Sequence, residues 1–112
     1  MDISTHVQEN NVVLLEVNGE VDAYTAQELD RTLTNLLGQG HHQIVADITE
    51  MIFISSAGIR AILYAHREAV KLGGEVRLVG PTDQVREIFE IAGFFELLVI
   101  TDDLQEAVSN WL

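Results

Sequence analysis

With 112 residues, 47% of them hydrophobic and a single proline, the chain has the size and composition of one folded domain with a modest core, not of a disordered segment. It contains no cysteine, which excludes disulfides and thiolate chemistry. Eighteen acidic residues against six basic ones give a formal net charge of −12, a field that repels nucleic-acid phosphates and anionic lipid and favours a partner with a basic patch. No apolar run approaches the ~18 residues of a membrane helix. The opening Met1-Asp2-Ile3-Ser4 lacks the basic and apolar regions of a signal peptide. The expectation is a cytoplasmic protein with no direct nucleic-acid partner and no membrane partner.

In chain order, a short strand around Ile3–Val7 precedes a firmer one, Val12–Val17, and Asn10-Asn11 between them suits a tight hairpin turn. Thr25 followed by Glu28 has the spacing of a capping box, and Asp22 caps instead if the helix begins earlier. Leu29, Leu33, Leu36 and Leu37 then recur at helical spacing until Gly38 and Gly40 stop the helix. Residues 43–49 form a near-continuous apolar run, as in a parallel strand covered on both faces. A second helix starts near Ser56, carries a stripe of Ile59, Ile62, Leu63, His66 and Val70, and ends at Gly73-Gly74. Glu75–Val79 reads as a strand. Thr82 or Asp83 caps a third helix with the stripe Val85, Ile88, Phe89 and Ala92, closed by Gly93. Leu97–Ile100 reads as a last strand. Asp102 or Asp103 opens a short final helix with Leu104, Ala107, Val108 and Trp111 on one side. The predicted order is ββαβαβαβα: one α/β domain over residues 1–112, with a mixed, mostly parallel sheet because the opening pair is a hairpin.

The chemically suggestive stretch is Phe53-Ile54-Ser55-Ser56-Ala57-Gly58-Ile59, where a strand hands over to a helix. A helix start presents unpaired N–H groups and the positive end of the helix dipole, so a serine there either caps the helix or offers a hydroxyl where a phosphate is electrostatically welcome. Position alone leaves both roles open for Ser56, with Ser55 as an alternative cap. Met51, Ile52 and Phe53 form either a partner-facing patch or, for Phe53 or Ile54, packing under the loop. Phe94-Phe95 are expected against the sheet edge. His66 reads as a core or boundary residue, and His41-His42 offer no ligand spacing, so no metal and no cofactor is expected.

An enzyme reading fails on spacing. Ser56 and Gly58 are half of the elbow G-x-S-x-G, but Ile54 fills the first glycine position. His66 is ten residues further along the same helix, roughly 15 Å away by helical rise, too far to activate Ser56. Phosphate-binding glycine loops for nucleotides are absent.

Four segments in this order, Gly19-Glu20-Val21-Asp22-Ala23-Tyr24-Thr25-Ala26, Ile54-Ser55-Ser56-Ala57-Gly58-Ile59, Gly73-Gly74 and Phe89-Glu90-Ile91-Ala92-Gly93-Phe94, resemble the STAS domain of bacterial anti-sigma factor antagonists. The resemblance implies a phospho-switch. Its partner would be an anti-sigma factor that is also a serine kinase, bound by the unphosphorylated antagonist so that a sigma factor is released. The target would be the serine two residues before the loop glycine, Ser56, with Ser55 as the lesser candidate, and a serine phosphatase would reset it. The same resemblance implies a partner-binding surface of Asp22, Tyr24, Thr25, Ser55, Ala57, Gly58 and Arg60. The chain departs from the usual loop in carrying Ser55 where many members have aspartate, Ala57 where many have Ser or Thr, and Arg60 where a small residue is more usual. The rival within the same fold is a non-switching scaffold, such as a subunit of a lipid-transport ATPase complex.

Overall fold

In the computed structural model, which describes residues 1–8, 10–109 and 111, eleven elements alternate along the chain. They are strands β1 (Asp2–Val7) and β2 (Val13–Val21), helix α1 (Ala26–Gly38), strands β3 (Gln43–Asp47) and β4 (Met51–Ile54), and helix α2 (Ser56–Lys71). Strand β5 (Glu75–Val79), helices α3 (Asp83–Ala92) and α4 (Phe94–Leu97), strand β6 (Ile100–Thr101) and helix α5 (Leu104–Val108) follow. The sheet runs β1-β2-β3-β5-β6, antiparallel at β1–β2 and parallel elsewhere, and β4 pairs with β2 alone. The expected mixed α/β domain is therefore present.

Two short elements were not expected. The run read as one strand over 43–49 stops at Asp47, whose Oδ1 accepts from the Thr49 N–H at 3.0 Å and its hydroxyl at 2.7 Å. The chain turns there and resumes as β4 beside the second half of β2. The strand expected at Leu97–Ile100 shrinks to Ile100–Thr101. Ahead of it, Phe94–Leu97 winds into one helical turn, because burying Phe94 against Phe89 (ring centroids 4.9 Å apart) outweighs local strand propensity. Phe95 stays exposed. The connection from β1 to β2 is closed by the Gln8 N–H donating to the Val12 carbonyl at 2.8 Å, with Asn11 left-handed at φ 64°.

Strand parity assigns the faces. Val13, Leu15 and Val17 of β2, Ile44 and Ala46 of β3, and Val76 and Leu78 of β5 point to the main core beneath α1, α2 and α3. Val12, Val45 and Val79 point the other way, to a small cluster closed by Ala107, Val108 and Trp111. The inward face of α2 is rotated from the expected stripe. Gly58, Ala61, Ile62, Ala65 and Ala69 are buried and Val70 is exposed, so small side chains let α2 approach α1 and the sheet closely. Ala92 of α3 is likewise exposed.

Helices α1 and α2 end alike. Gly40 (φ 88°) and Gly73 (φ 90°) take the left-handed position after each, and the next residue's N–H reaches back five residues: His41 to Leu36 at 3.0 Å, Gly74 to Ala69 at 2.8 Å.

His66 is half-buried at the boundary of α2, and its Nδ1 accepts the Val76 N–H at 3.2 Å, tying the helix to β5. That bond needs an unprotonated Nδ1. Burial lowers the His66 pKa below its ordinary 6.5, against a smaller opposing pull from Glu75. Between 6.5 and the lower folded value the unfolded chain binds a proton that the folded chain refuses, so stability should fall as pH drops through that window. Urea midpoints measured from pH 7.5 to 5 should decline, and the decline should flatten in His66→Gln; an unchanged slope in the variant rules His66 out.

Candidate functional site

Strands β2 and β4 run parallel with Val21 opposite Ile54, and both end there. The segments that follow them, 22–25 and 55–58, therefore leave the sheet side by side. The junction is fastened by the Ser55 N–H, which donates to the Val21 carbonyl at 2.8 Å.

After β2 the chain makes a tight turn held by a reciprocal pair. Asp22 Oδ1 accepts the Thr25 N–H at 2.8 Å and the Thr25 hydroxyl at 2.9 Å, and Thr25 Oγ1 accepts the Asp22 N–H at 2.9 Å. The Thr25–Glu28 capping box does not form. Thr25 lies in helical conformation without a side-chain cap bond, and Asp22, the alternative cap, organises the turn. The Thr25 N–H bond, followed by the Thr25 hydroxyl bond, holds the Asp22 carboxyl below the usual aspartate value, so it is ionised on the surface. Tyr24, at the tip of the turn, is 80% exposed.

After β4 the two serines differ in the contacts they make. Ser55 is the N-cap: its backbone is extended (φ −79°, ψ 168°) and its hydroxyl accepts the Gly58 N–H at 3.3 Å. Ser56 is the first helical residue, exposed, and its hydroxyl makes no hydrogen bond to a described residue. Gly58 is buried; a Cβ there would sit 2.7 Å from Ile54 Cγ1 and 2.9 Å from Val21 Cγ1. Its part is close packing of the helix start on β2 and β4, while Ala57 is half-buried and Arg60 exposed one turn on. The apolar residues of β4 split: Met51 and Ile54 are buried, whereas Ile52 and Phe53 face solvent.

Asp22, Tyr24, Thr25, Ser55, Ser56, Ala57 and Arg60 thus gather at one end of the sheet. The structure adds neighbours that single-helix periodicity does not reveal. Ala23, Ala26, Gln27 and Asp30 on one side and Ala57, Arg60, Ala61 and Tyr64 on the other line an open groove of about 420 Å³ between α1 and α2. The spacing 57, 60, 61, 64 was a visible signal, but its partner helix was not.

The fold and the site define a class: an α/β domain with helices stacked on a mixed sheet and its displayed residues at the ends of adjacent parallel strands. The chain belongs to the STAS domain family, whose model matches residues 3–107. It is similar to BtrV of Bordetella bronchiseptica, whose name gives it provisionally as an anti-sigma factor antagonist: 29% identical over 93 residues, 83% of this chain and 80% of that one. It is also similar to the anti-sigma-B factor antagonist of Staphylococcus aureus, 25% identical over 88 residues, 79% of this chain and 82% of that one. The Bacillus cell fate determinant SpoIIAA, solved in its phosphorylated form, superimposes with a TM-score of 0.77 at 19% identity, covering 99% of this chain and 100% of that one. The unphosphorylated form of this anti-sigma factor antagonist gives 0.76 at 18%, covering 98% and 96%. At that identity the likeness is one of fold. Among the described residues no helix is long and apolar enough to cross a membrane.

Proposed function

We propose that the chain is an anti-sigma factor antagonist that works as a phospho-switch. In the unphosphorylated state it binds an anti-sigma factor with serine kinase activity through the Asp22–Thr25 turn and the start of α2, and a sigma factor is released. Transfer of the γ-phosphoryl of ATP to Ser56 Oγ, with ADP leaving and the hydroxyl proton passing to the kinase, ends the binding. A serine phosphatase restores it. The chain acts here as a substrate and a binding module, not as a catalyst.

The observation that carries this reading is the division of labour at the loop: Ser55 is spent on the cap and Ser56 is exposed with its hydroxyl unengaged. Two relatives named as anti-sigma factor antagonists and the existence of SpoIIAA in two phosphorylation states support it. A phosphate brings about −1.5 to −2 charges to a surface that already holds the Asp22 carboxylate, and it disfavours a docked partner by repulsion and bulk.

The test incubates the chain with a candidate kinase-type anti-sigma factor, sought among the products of neighbouring genes, and ATP, and reads the product by mass spectrometry. One phosphate should appear, on Ser56. Ser56→Ala should abolish it while stability stays within about 0.5 kcal/mol. Ser55→Ala should show the reverse, losing about 1 kcal/mol of stability but keeping the phosphate. Label on Ser55 would move the switch to that residue and overturn the assignment to Ser56; no label on either serine would sink the switch and leave the non-switching scaffold as the better account.

A further inference from the structure

We propose that Arg60 is a built-in phosphate clamp: once Ser56 is phosphorylated, its guanidinium turns onto the phosphate and is thereby removed from the partner-facing surface. The proposal rests on the reading of Ser56 as the modified residue and extends it to how the modified state is held. Ser56, Arg60 and Tyr64 follow one another at intervals of four along α2, and all three are exposed. Side chains four apart on a helix are neighbours, with Cβ atoms about 5–6 Å apart, well within the reach of an arginine. Arg60 forms no ion pair among the described residues, in contrast to Arg77, Arg86 and Lys71. Among the described residues it is a cation without an ion-pair partner, on a chain of net charge −12.

Its competing anion is Asp30, which faces it across the α1–α2 groove without coming within ion-pair distance. A phosphate on Ser56 offers nearly twice the charge of that carboxylate and three acceptor oxygens, which suit the planar fork of a guanidinium. Phosphorylation then acts twice at one spot. It adds an anion at the first turn of α2, and it withdraws the cation that the unmodified surface presents beside Ala57 and Tyr64. A partner that places a carboxylate over Arg60 loses an attraction and meets a repulsion in the same step.

The experiment separates this from the switch itself. Phosphoserine is installed at position 56 of the full chain by genetic code expansion, with no kinase involved, and its second ionisation is followed by phosphorus NMR. With Arg60 present the midpoint should lie about half a unit below that of the Arg60→Gln chain at low salt. The gap should shrink in 1 M NaCl, and Arg60→Lys should keep only part of it. Equal midpoints in the arginine and glutamine chains overturn the clamp. A gap seen here together with no kinase labelling of Ser56 upholds the pairing and removes the switch.

Discussion

Replacing Arg77 with alanine should cost the fold about 3 kcal/mol and loosen the C-terminal helix before the rest of the domain. Arg77 is the one buried charged or polar residue among the described residues, 6% exposed, and it lies on the face of β5 turned away from the main core. Its Nη1 donates to the Ala107 carbonyl at 2.5 Å, its Nε pairs with Glu75, and its guanidinium stacks 3.7 Å from the centre of the Trp111 ring. Charge-assisted hydrogen bonds contribute roughly 1.5–3 kcal/mol each, and a stacked arginine about 1 more. Glu75 is partly exposed, so water recovers much of its share of the loss when its partner goes, which brings the total below the plain sum, to about 3 kcal/mol, the lower end for breaking a buried pair. The apolar cluster under α5 is small, so little else holds that helix down. Trp111 is the only tryptophan, and its fluorescence therefore reports this corner alone. In Arg77→Ala the fluorescence transition should precede the loss of far-ultraviolet circular dichroism. Arg77→Lys, which keeps the charge but not the fork, should fall between. Coincident transitions at the original urea midpoint would show that α5 does not depend on the arginine.

Gly74→Ala should be about as damaging, for a different reason. A Cβ at residue 74 would lie 1.9 Å from the His42 carbonyl oxygen, so backbone has to move. That carbonyl accepts the Glu75 N–H at 2.9 Å, next to the Gln43–Glu75 pair that starts the β3–β5 ladder. The clash therefore disturbs the helix end and the entry into two central strands together. Overpacking of this kind costs roughly 1–3 kcal/mol or more, and we expect the upper end because the neighbour is backbone and cannot rotate away. With a urea slope of about 1–3 kcal/mol per molar, the midpoint should drop by about 1–2 M. Gly38→Ala supplies the control. It lies in α1, nothing stands within 4 Å of its added Cβ, and it should stabilise by up to about 1 kcal/mol. A midpoint for Gly74→Ala equal to that of Gly38→Ala would refute the steric account.

The strands with long apolar runs were legible because burial on both faces leaves no polar interruption, as in Ile44-Val45-Ala46. Strand β4 was not, because its two buried residues, Met51 and Ile54, flank two exposed apolar ones and give no alternation to read. The turn at Phe94–Leu97 was hidden by strand-forming neighbours; only the fit of Phe94 against Phe89 in space decides it. At the site, both serines have capping chemistry, and the choice between them depends on a one-residue phase of helix α2 that the residue types do not encode. Asp22 and Thr25 were found, but with their capping relation turned round, since Asp22 accepts from Thr25 and Thr25 does not cap α1. The groove residues Gln27, Asp30 and Tyr64 became meaningful only when α1 and α2 lay side by side.

The hydrogen bond from the Ser55 amide to the Val21 carbonyl has a consequence for any enzyme that acts on the next residue. It ties the backbone beside Ser56 into the sheet, and Ser56 itself is already wound into α2. Enzymes that read linear consensus peptides take their substrates extended, in a cleft, with side chains to either side of the target sorted into subsites. Ser56 cannot be threaded that way without unravelling the first turn of α2 and breaking a strand-end bond. Whatever modifies it must instead read a folded surface assembled from two separate chain segments. Short peptides copied from residues 50–62 would then be poor substrates even with every local residue in place, and the fidelity of signalling would reside in shape rather than in a consensus string.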